Sequence, residues 1–147
     1  MIVTQDAEIV ALAGTLRRVA VLGIKTEAQA GQPAHDVAAY LQRAGVSIVP
    51  VPVYYPEVTQ ILGEPVYRTV SAVPGELDAV DVFRRPPDIN AHVADIVRKK
   101  PRVVWFQLGI RNDEAAQALS SAGIIVVQDR CLKVDFARHA AMKPNNR

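Results

Sequence analysis

Arg18-Val19-Ala20-Val21-Leu22-Gly23 is the stretch that decides the fold. It has no polar residue from Val19 to Leu22, as is typical of a strand buried on both faces of a parallel sheet. A polar loop over 24–32 follows, and then a helical pattern over 33–44 that begins at Pro33, a residue suited to the first turn of a helix. We interpret these segments as the first strand, turn and helix of a Rossmann-like domain, where ligands bind outside the carboxyl ends of the strands.

Two features of the sequence argue against a dinucleotide site. After Gly23 there is no further glycine until Gly31, whereas the dinucleotide fingerprint reads G-x-G-x-x-G. Tyr54-Tyr55-Pro56 follows the second predicted strand, where nicotinamide-binding folds usually carry an acidic residue for the ribose. The standard nicotinamide and flavin signatures are therefore absent, and a ligand with phosphates would have to bind through a different kind of loop.

Helical and extended patterns alternate along the rest of the chain. Further strands are predicted at 46–53, 78–83, 102–108 and 124–128, with a short sixth strand at 66–69. Further helices are predicted at 6–16, 89–99 and 112–122. This alternation indicates βαβ units. We therefore predict an α/β chain with a Rossmann-like three-layer α/β/α fold and a mostly parallel sheet of five to six strands.

The predicted elements form one domain over 1–147, with a core at about 15–138. The leading helix at 6–16 is expected to pack outside the sheet, and the tail at 140–147 is expected to be loose. Pro50 and Pro52 lie in the second strand. Because proline removes donors from the hydrogen-bond ladder, they place this strand near an edge or at its carboxyl end.

Composition excludes several classes of partner. A formal net charge of +2 and the lack of a basic stripe argue against nucleic acid, and no apolar run approaches the roughly 20 residues that span a bilayer. Cys131 is the only cysteine, so no intramolecular disulfide can form, which favours a reducing compartment. The first residues lack a signal-peptide pattern, and we expect a cytoplasmic protein.

The sequence contains no evident catalytic or metal-binding constellation. His35, His92 and His139 are scattered and share no metal-ligand spacing with other His, Cys or acidic residues. His92 is expected on a solvated helix face, and His35 near the start of a helix, within reach of a phosphate. Cys131 and His139 are eight residues apart with no residue evidently placed to orient the histidine, so a structural cysteine is the favoured interpretation.

Three short motifs carry a resemblance to a known family. Val80-Asp81-Val82-Phe83-Arg84-Arg85, Val104-Trp105-Phe106-Gln107-Leu108-Gly109 and Val127-Gln128-Asp129-Arg130-Cys131 resemble the small single-domain CoA-binding proteins of bacteria. These are similar to the N-terminal CoA-binding domain of the succinyl-CoA synthetase alpha subunit. The resemblance spans about residues 15 to 138. It implies CoA or acyl-CoA as the ligand, bound across the carboxyl edge of the sheet, and it supplies no reaction.

The resemblance also implies a set of ligand-binding residues. The loop after the first strand would hold the diphosphate, the end of the second strand would lie near the nucleoside, and the later loops would border the pantetheine arm. The first loop has Ile24-Lys25 where many relatives have a small residue and a serine. The implied residues are Gly23, Ile24, Lys25, Thr26 and Pro33 at the phosphates, Pro52, Val53 and Tyr54 at the nucleoside, and Phe83, Arg84, Arg85, Gln107 and Gly109 beside the cleft.

Several of these side chains have an alternative structural interpretation. Arg84 and Arg85 could clamp a phosphate or a carboxylate, or they could pair with Asp81 or Asp88. Gln107 could face the cleft, or its amide could hydrogen-bond the backbone of a neighbouring loop. Tyr54 could flank an adenine, or it could pack against the helix at 33–44.

We therefore expect a CoA-binding or acyl-CoA-binding module that is not by itself an enzyme and holds no metal. One alternative is a small nucleotide-dependent oxidoreductase or a CoA-transfer component. Another is a protein-interaction subunit with a degenerate ligand pocket, which the altered Ile24-Lys25 loop would suit. A homodimer or an unidentified protein partner is compatible with each of these hypotheses.

Overall fold

The computed structural model describes residues 1–142 and contains a five-stranded parallel sheet. The strands of this sheet are β1 (Arg18–Leu22), β2 (Ser47–Val51), β5 (Ala79–Val82), β6 (Val103–Phe106) and β7 (Ile125–Val127). Their order across the sheet is β2-β1-β5-β6-β7. Neighbouring strands are parallel throughout, which confirms the predicted fold class.

Among residues 1–142, five α-helices cover the two faces of the sheet. They are α1 (Asp6–Ala13), α2 (Pro33–Arg43), α3 (Val93–Lys99), α4 (Asp113–Ser121) and α5 (Leu132–Met142). One face carries α1, α2 and α5, and the other carries α3 and α4 together with apolar residues of the segment 70–77. The strands are buried on both faces because their side chains alternate between these two layers, and this arrangement is the predicted α/β/α sandwich.

β2 forms one edge of the sheet, as its prolines predict. The backbone N–H of Tyr67 donates to the carbonyl oxygen of Pro50 at 3.0 Å, from the side of β2 that faces away from β1. The missing N–H of Pro50 points to that same outer side, because the N and O atoms of one strand residue share a direction. The proline therefore costs the sheet no ladder hydrogen bond.

The short sixth strand predicted at 66–69 is wrong. A two-stranded antiparallel hairpin precedes that position, with β3 (Gln60–Ile61) paired to β4 (Glu64–Pro65). Leu62 and Gly63 form its turn with φ angles of 55° and 75°. Two successive positive φ values are typical of a type I′ turn, which usually carries Asn or Gly at the first position. Leucine there concealed the hairpin in the sequence.

Other differences lie at the ends of helices. The leading helix ends at Ala13 rather than at residue 16, and the helix predicted at 89–99 is helical in the α form only from Val93. Two short 3-10 turns, Pro86–Asp88 and Asn90–His92, come before it. The loose tail predicted at 140–147 is wrong for 140–142, which belong to α5, whereas 143–147 lie outside the described residues.

The strand order creates a crevice at the carboxyl edge of the sheet. The chain leaves β1 towards β2 on one side, while β5, β6 and β7 extend to the other side. In open α/β sheets such a switch point is where ligands bind. The loops after β1 and β5 therefore meet at the position where a binding site is expected. Within residues 1–142, no helix is both long and apolar enough to cross a membrane.

Candidate functional site

Gly23 brings the loops after β1 and β5 into contact. Its φ angle is +87°, and a Cβ atom built on it would lie 2.2 Å from the carbonyl oxygen of Phe83 and 3.3 Å from Cδ of Arg84. No side chain can occupy that space, and a positive φ is itself costly for any other residue. Gly23 is therefore required for the close approach of Phe83 and Arg84 to the first loop.

A cleft of about 520 Å³ opens beside Gly23. It is bounded by the first loop and the start of α2 on one side and by the loop after β5 on the other. Its lining contains three cationic side chains and no carboxylate. The lining residues are Gly23, Lys25, Gln32, Pro33, Ala34, Tyr54, Phe83, Arg84, Arg85, Pro86 and Ile110. Of the 13 binding residues that the resemblance implies, seven are in this set.

Two predicted binding residues of the first loop, Ile24 and Thr26, do not line this cleft. The side chain of Ile24 is 1% exposed and belongs to the core on the α2 side of the sheet, so only its backbone remains for a ligand. The hydroxyl of Thr26 donates to Oε1 of Gln29 at 2.6 Å and forms a capping box for a short 3-10 turn. Ligand contact by Ile24 and Thr26 stays a prediction.

Lys25 is partly exposed at the start of α2. Its Nζ donates to Oε1 of Gln32 at 2.6 Å, and its backbone N–H donates to the carbonyl oxygen of Ala34 at 2.9 Å. Gln32 is neutral, so the positive charge of Lys25 is not compensated by this contact. Pro33 begins the helix here, and the positive end of the helix dipole points to the same cleft.

Tyr54 separates this cleft from a second, more open cavity of about 650 Å³. The second cavity is lined by Val53, Tyr54, Tyr55, Pro56 and Arg68. Tyr54 is 63% exposed, so it does not pack tightly against α2. Pro52 is buried beneath the loop. The guanidinium of Arg68 donates to the carbonyl oxygens of Tyr54, Tyr55, Pro56 and Val58, which holds this loop in place.

Arg84 is held at the cleft by contacts with three side chains. Its Nε–H donates to Nε2 of His92 at 3.1 Å, one terminal nitrogen donates to the Tyr54 hydroxyl at 3.4 Å, and the other lies 3.8 Å from Oδ2 of Asp88. The guanidinium carbon is 5.7 Å from the centroid of the Tyr54 ring. Arg85 is exposed and pairs with the same Asp88 oxygen at 3.1 Å. Within residues 1–142, the alternative pairing with Asp81 does not occur.

His92 was expected on a solvated helix face, and that expectation is wrong. The 3-10 turns that precede α3 bring its ring back to Arg84, where it is half-buried. Burial first, and then the positive charge of Arg84, lower the pKa of His92 from its ordinary value of 6.5, although Asp95 and Asp88 oppose this shift. The ring is therefore neutral at pH 7. The sequence would have placed His92 near Arg84 only if the two 3-10 turns between them had been predicted.

Gln107 and Gly109 lie at the end of β6 but do not line the cleft. Gln107 is 3% exposed, and its Oε1 accepts from the backbone N–H of Leu132 at 3.4 Å. This contact matches the alternative in which the amide binds a neighbouring loop. Gly109 is exposed, and its N–H donates to Oδ1 of Asp129 at 2.7 Å. The nearby Ile110 reaches the cleft instead.

Asp81 lies in the middle of β5 and is completely buried. No hydrogen-bond partner for either carboxyl oxygen is present among residues 1–142. Burial raises the pKa of Asp81 well above its ordinary value of 3.8. Burial therefore favours the neutral, protonated form of this carboxyl group.

Cys131 and His139 do not form a catalytic pair. Cys131 precedes α5 at the carboxyl edge of the sheet, while His139 packs over Gly14 beside a separate cavity of about 280 Å³ at the opposite edge. Eight helical residues separate positions by about 12 Å. Within the described part of the chain, no three His, Cys, Asp or Glu side chains are grouped as metal ligands.

Comparison with known proteins identifies relatives over nearly the whole chain. The model of a CoA binding domain family matches residues 17–137. An uncharacterized protein of Bacillus subtilis, YneT, is 31% identical over 131 residues, which cover 89% of this chain and 93% of that protein. The agreement spans both the sheet and the cleft loops.

Two solved structures have the same architecture. The structure of cell-free ID.343 from Thermus thermophilus has a TM-score of 0.82 at 34% identity and covers 92% of this chain and 99% of its own. A hypothetical protein from Pyrococcus horikoshii OT3 has a TM-score of 0.82 at 28% identity, with 93% of each chain covered.

Proposed function

This chain belongs to the CoA binding domain family, and we propose that it binds CoA or an acyl-CoA in the carboxyl-edge cleft without transforming it. The observation that carries the proposal is the charge of the cleft. Lys25, Arg84 and Arg85 line it, while the nearest carboxylate, Asp88, contacts both arginines and leaves an excess of positive charge. An excess of cations at a helix start is suited to an anion with several phosphates.

The diphosphate of CoA fits best between Gly23, Lys25 and the start of α2. Gly23 lets Phe83 and Arg84 approach the first loop closely, and the N–H groups of the first helical turn favour an anion. Lys25 is held there by a neutral amide, so a phosphate could replace Gln32 as its partner without breaking an ion pair. Arg84 and Arg85 face the same space from the opposite wall.

Tyr54 is the best candidate for contact with the adenine ring. It stands between the two cavities, is largely exposed, and carries Arg84 near its ring. Stacking of a base on an aromatic side chain contributes about 1–3 kcal/mol. Phe83, Pro86 and Ile110 supply the apolar wall of the cleft, which suits the less polar pantetheine arm.

We propose a binding module because residues 1–142 assemble no nucleophile and base at the cleft. The thiol of Cys131 and the imidazole of His139 lie near opposite ends of α5. Asp81 is buried and favours its neutral form. We extend the proposal to a cytoplasmic protein, since a single cysteine cannot form an intramolecular disulfide. A homodimer or another protein partner stays a prediction.

Isothermal titration calorimetry with CoA, acetyl-CoA, NAD and NADP tests the proposal. We expect saturable binding of CoA and acetyl-CoA at one site per chain, and no saturable binding of NAD or NADP at the same concentrations. Binding should also raise the thermal midpoint, because a ligand specific for the native state stabilises it. Equal affinity for NAD and CoA, or no binding of any of the four, would contradict the proposal.

Lys25→Ala and Arg43→Ala provide a matched pair for this titration. Both substitutions remove one positive charge, but Arg43 lies at the end of α2 that points away from the cleft. We expect Lys25→Ala to weaken CoA binding about tenfold, as loss of one charge-assisted hydrogen bond does, and Arg43→Ala to leave it within about twofold. Equal effects would indicate long-range attraction rather than a phosphate contact.

A further inference from the structure

His92 contacts Arg84 in a way that depends on its protonation. The Nε–H of Arg84 donates to Nε2 of His92 at 3.1 Å. A guanidinium has donors and no acceptor, so Nε2 must carry its lone pair and the proton of the neutral ring must be on Nδ1. A protonated ring has donors at both nitrogens and cannot make this hydrogen bond.

The contact with His92 uses only one of the five N–H donors of Arg84. Because Nε is occupied by His92, the two terminal nitrogens extend towards Tyr54, which lines the cleft, and towards Asp88. Cδ of Arg84 lies over Gly23, so the stem has little room to turn. The guanidinium is thus fixed from both ends beside the cleft that Arg84 lines, and each terminal nitrogen keeps a second N–H beyond its contact with Tyr54 or Asp88.

The charged groups around His92 come from three segments. Arg84 lies in the loop after β5, Asp88 in the first 3-10 turn, and Asp95 in α3. Burial and Arg84 lower the pKa of His92, whereas Asp95 and Asp88 act in the opposite direction. A protonated His92 would be repelled by Arg84 and attracted to either carboxylate, so the ring would leave its position beside Arg84.

We propose that His92 is a positioning residue whose neutral ring orients Arg84 towards a phosphate of the ligand, a role that rests on the proposed function. Acidification then releases Arg84 and weakens binding, even though it adds a positive charge near an anionic ligand. The direction of this effect separates positioning from simple attraction, because a cation that acted only through its charge would strengthen binding at low pH.

The ligand for the test is dephospho-CoA. The 3′-phosphate monoester of CoA titrates near pH 6, in the range where a histidine titrates. Dephospho-CoA lacks this group and keeps the diphosphate. Calorimetric titrations between about pH 5 and about pH 7.5 would compare the wild-type chain with His92→Gln, His92→Ala and His139→Gln. The glutamine in His92→Gln offers an amide oxygen as an acceptor without titrating, and His139 is at the opposite edge of the sheet.

We expect the wild-type chain and His139→Gln to bind about tenfold more weakly at the acidic end, the loss of one charge-assisted hydrogen bond. His92→Gln should bind nearly as well as wild type at about pH 7.5 and show little pH dependence, because its amide does not titrate, and His92→Ala should bind weakly throughout. Stronger wild-type binding at low pH, or the same pH profile in His92→Gln, would overturn the positioning role while leaving the proposed function intact.

Nuclear magnetic resonance of the histidine rings measures the tautomer and the pKa of His92 beside Arg84 in the absence of ligand. We expect the Nδ1–H tautomer for His92 and an upward shift of its pKa in Arg84→Met, because the neighbouring positive charge is removed. The opposite tautomer, or a pKa that does not respond to Arg84→Met, would overturn the inference. If this coupling is present but neither CoA nor dephospho-CoA binds at any pH, the proposed function fails, and the phosphate-positioning role fails with it.

Discussion

Two clusters of arginines in this molecule differ in how their charges are balanced. Between α1 and α5, Arg130 and Arg138 share two carboxylates, Asp6 and Asp135, through hydrogen bonds of 2.7–3.2 Å. At the cleft, Arg84 and Arg85 share a single ion-pair partner among the described residues, Asp88, and Lys25 contacts the neutral Gln32. Equal numbers of opposite charges hold two helices together, whereas an excess of cations is available to an anionic ligand.

Asp135 and Arg85 differ strongly in burial, although the Arg84 side chain is only 14% exposed and that of Arg130 is 25% exposed. Asp135 is 1% exposed, so its interactions with Arg130 and Arg138 are weakly screened by water. The Arg85 side chain is 80% exposed, and its ion pair with Asp88 is expected to contribute little to stability. The first cluster should therefore determine stability and the second should determine binding, and each of the following substitutions tests that separation.

Asp135→Ala should produce the largest loss of stability. It removes a buried carboxylate and leaves two guanidinium groups without that partner, a change that costs about 4 kcal/mol. Urea denaturation would measure the loss, and calorimetry on the folded fraction should give an unchanged CoA affinity. The control is Asp113→Ala, which removes an exposed ion pair with Arg111. If both variants lose the same free energy of unfolding, the buried ion pairs between α1 and α5 contribute no more to stability than an exposed ion pair.

Gly23→Ala should lower both the stability of the fold and the affinity for CoA. The added methyl group would meet the Phe83 carbonyl oxygen, and the positive φ adds strain, together about 3 kcal/mol, with loss of measurable CoA binding. Gly31→Ala has a φ of +104° but no atom within 4 Å of the new methyl group, so it should cost only about 1 kcal/mol and retain binding. Similar losses in the two variants would indicate that φ strain, rather than the close approach of Phe83, matters at Gly23.

Arg84→Met should weaken CoA binding by about 2 kcal/mol, roughly thirtyfold, and lower the free energy of unfolding by about 1 kcal/mol, because the side chain is mostly buried and hydrogen-bonded. Methionine keeps much of the stem that lies over Gly23 and removes the guanidinium. Arg130→Met is its counterpart, and there we expect lost stability with unchanged affinity. A stability loss in Arg84→Met as large as that in Arg130→Met would erase the distinction between the clusters.

Asp6→Asn should give the smallest change in stability, and this change should depend on pH. Hydrogen bonds from Arg138, and next from Arg130, hold the pKa of Asp6 well below its ordinary value of 3.8. A carboxyl with a depressed folded-state pKa stabilises the fold above its unfolded-state pKa and loses that contribution as the pH falls. Denaturation midpoints of wild type and Asp6→Asn should therefore differ by a constant amount above about pH 4 and converge below it. A difference independent of pH would contradict the ion-pair origin.

The sequence was sufficient to predict the five main strands because each is a short apolar run between turn residues. It did not predict α5, and the reason is physical. The buried face of α5 includes Asp135, whose charge is balanced by ion pairs with Arg130 and Arg138. This face packs against α1. A charged residue inside the apolar face breaks the periodic pattern by which a helix is usually identified.

The candidate site was predictable where backbone geometry determines it. Gly23 and the end of β5 follow from strand ends at a topological switch point. The pairing of Arg84 with His92 was not predictable, because it depends on two 3-10 turns that reverse the direction of the chain over few residues. The burial of Ile24 was also missed, since an apolar residue in a polar loop has no periodic partners that would indicate its direction.

A titration with CoA, followed through the backbone amide signals by nuclear magnetic resonance, tests directly whether the ligand binds at the carboxyl-edge cleft. We expect the signals of Gly23, Lys25, Tyr54 and Arg84 to shift progressively and saturate, while those of Asp6, Arg130 and Asp135 stay in place. Shifts concentrated at the α1–α5 cluster, or no shift at a saturating concentration, would contradict the assignment of the carboxyl-edge cleft as the binding site.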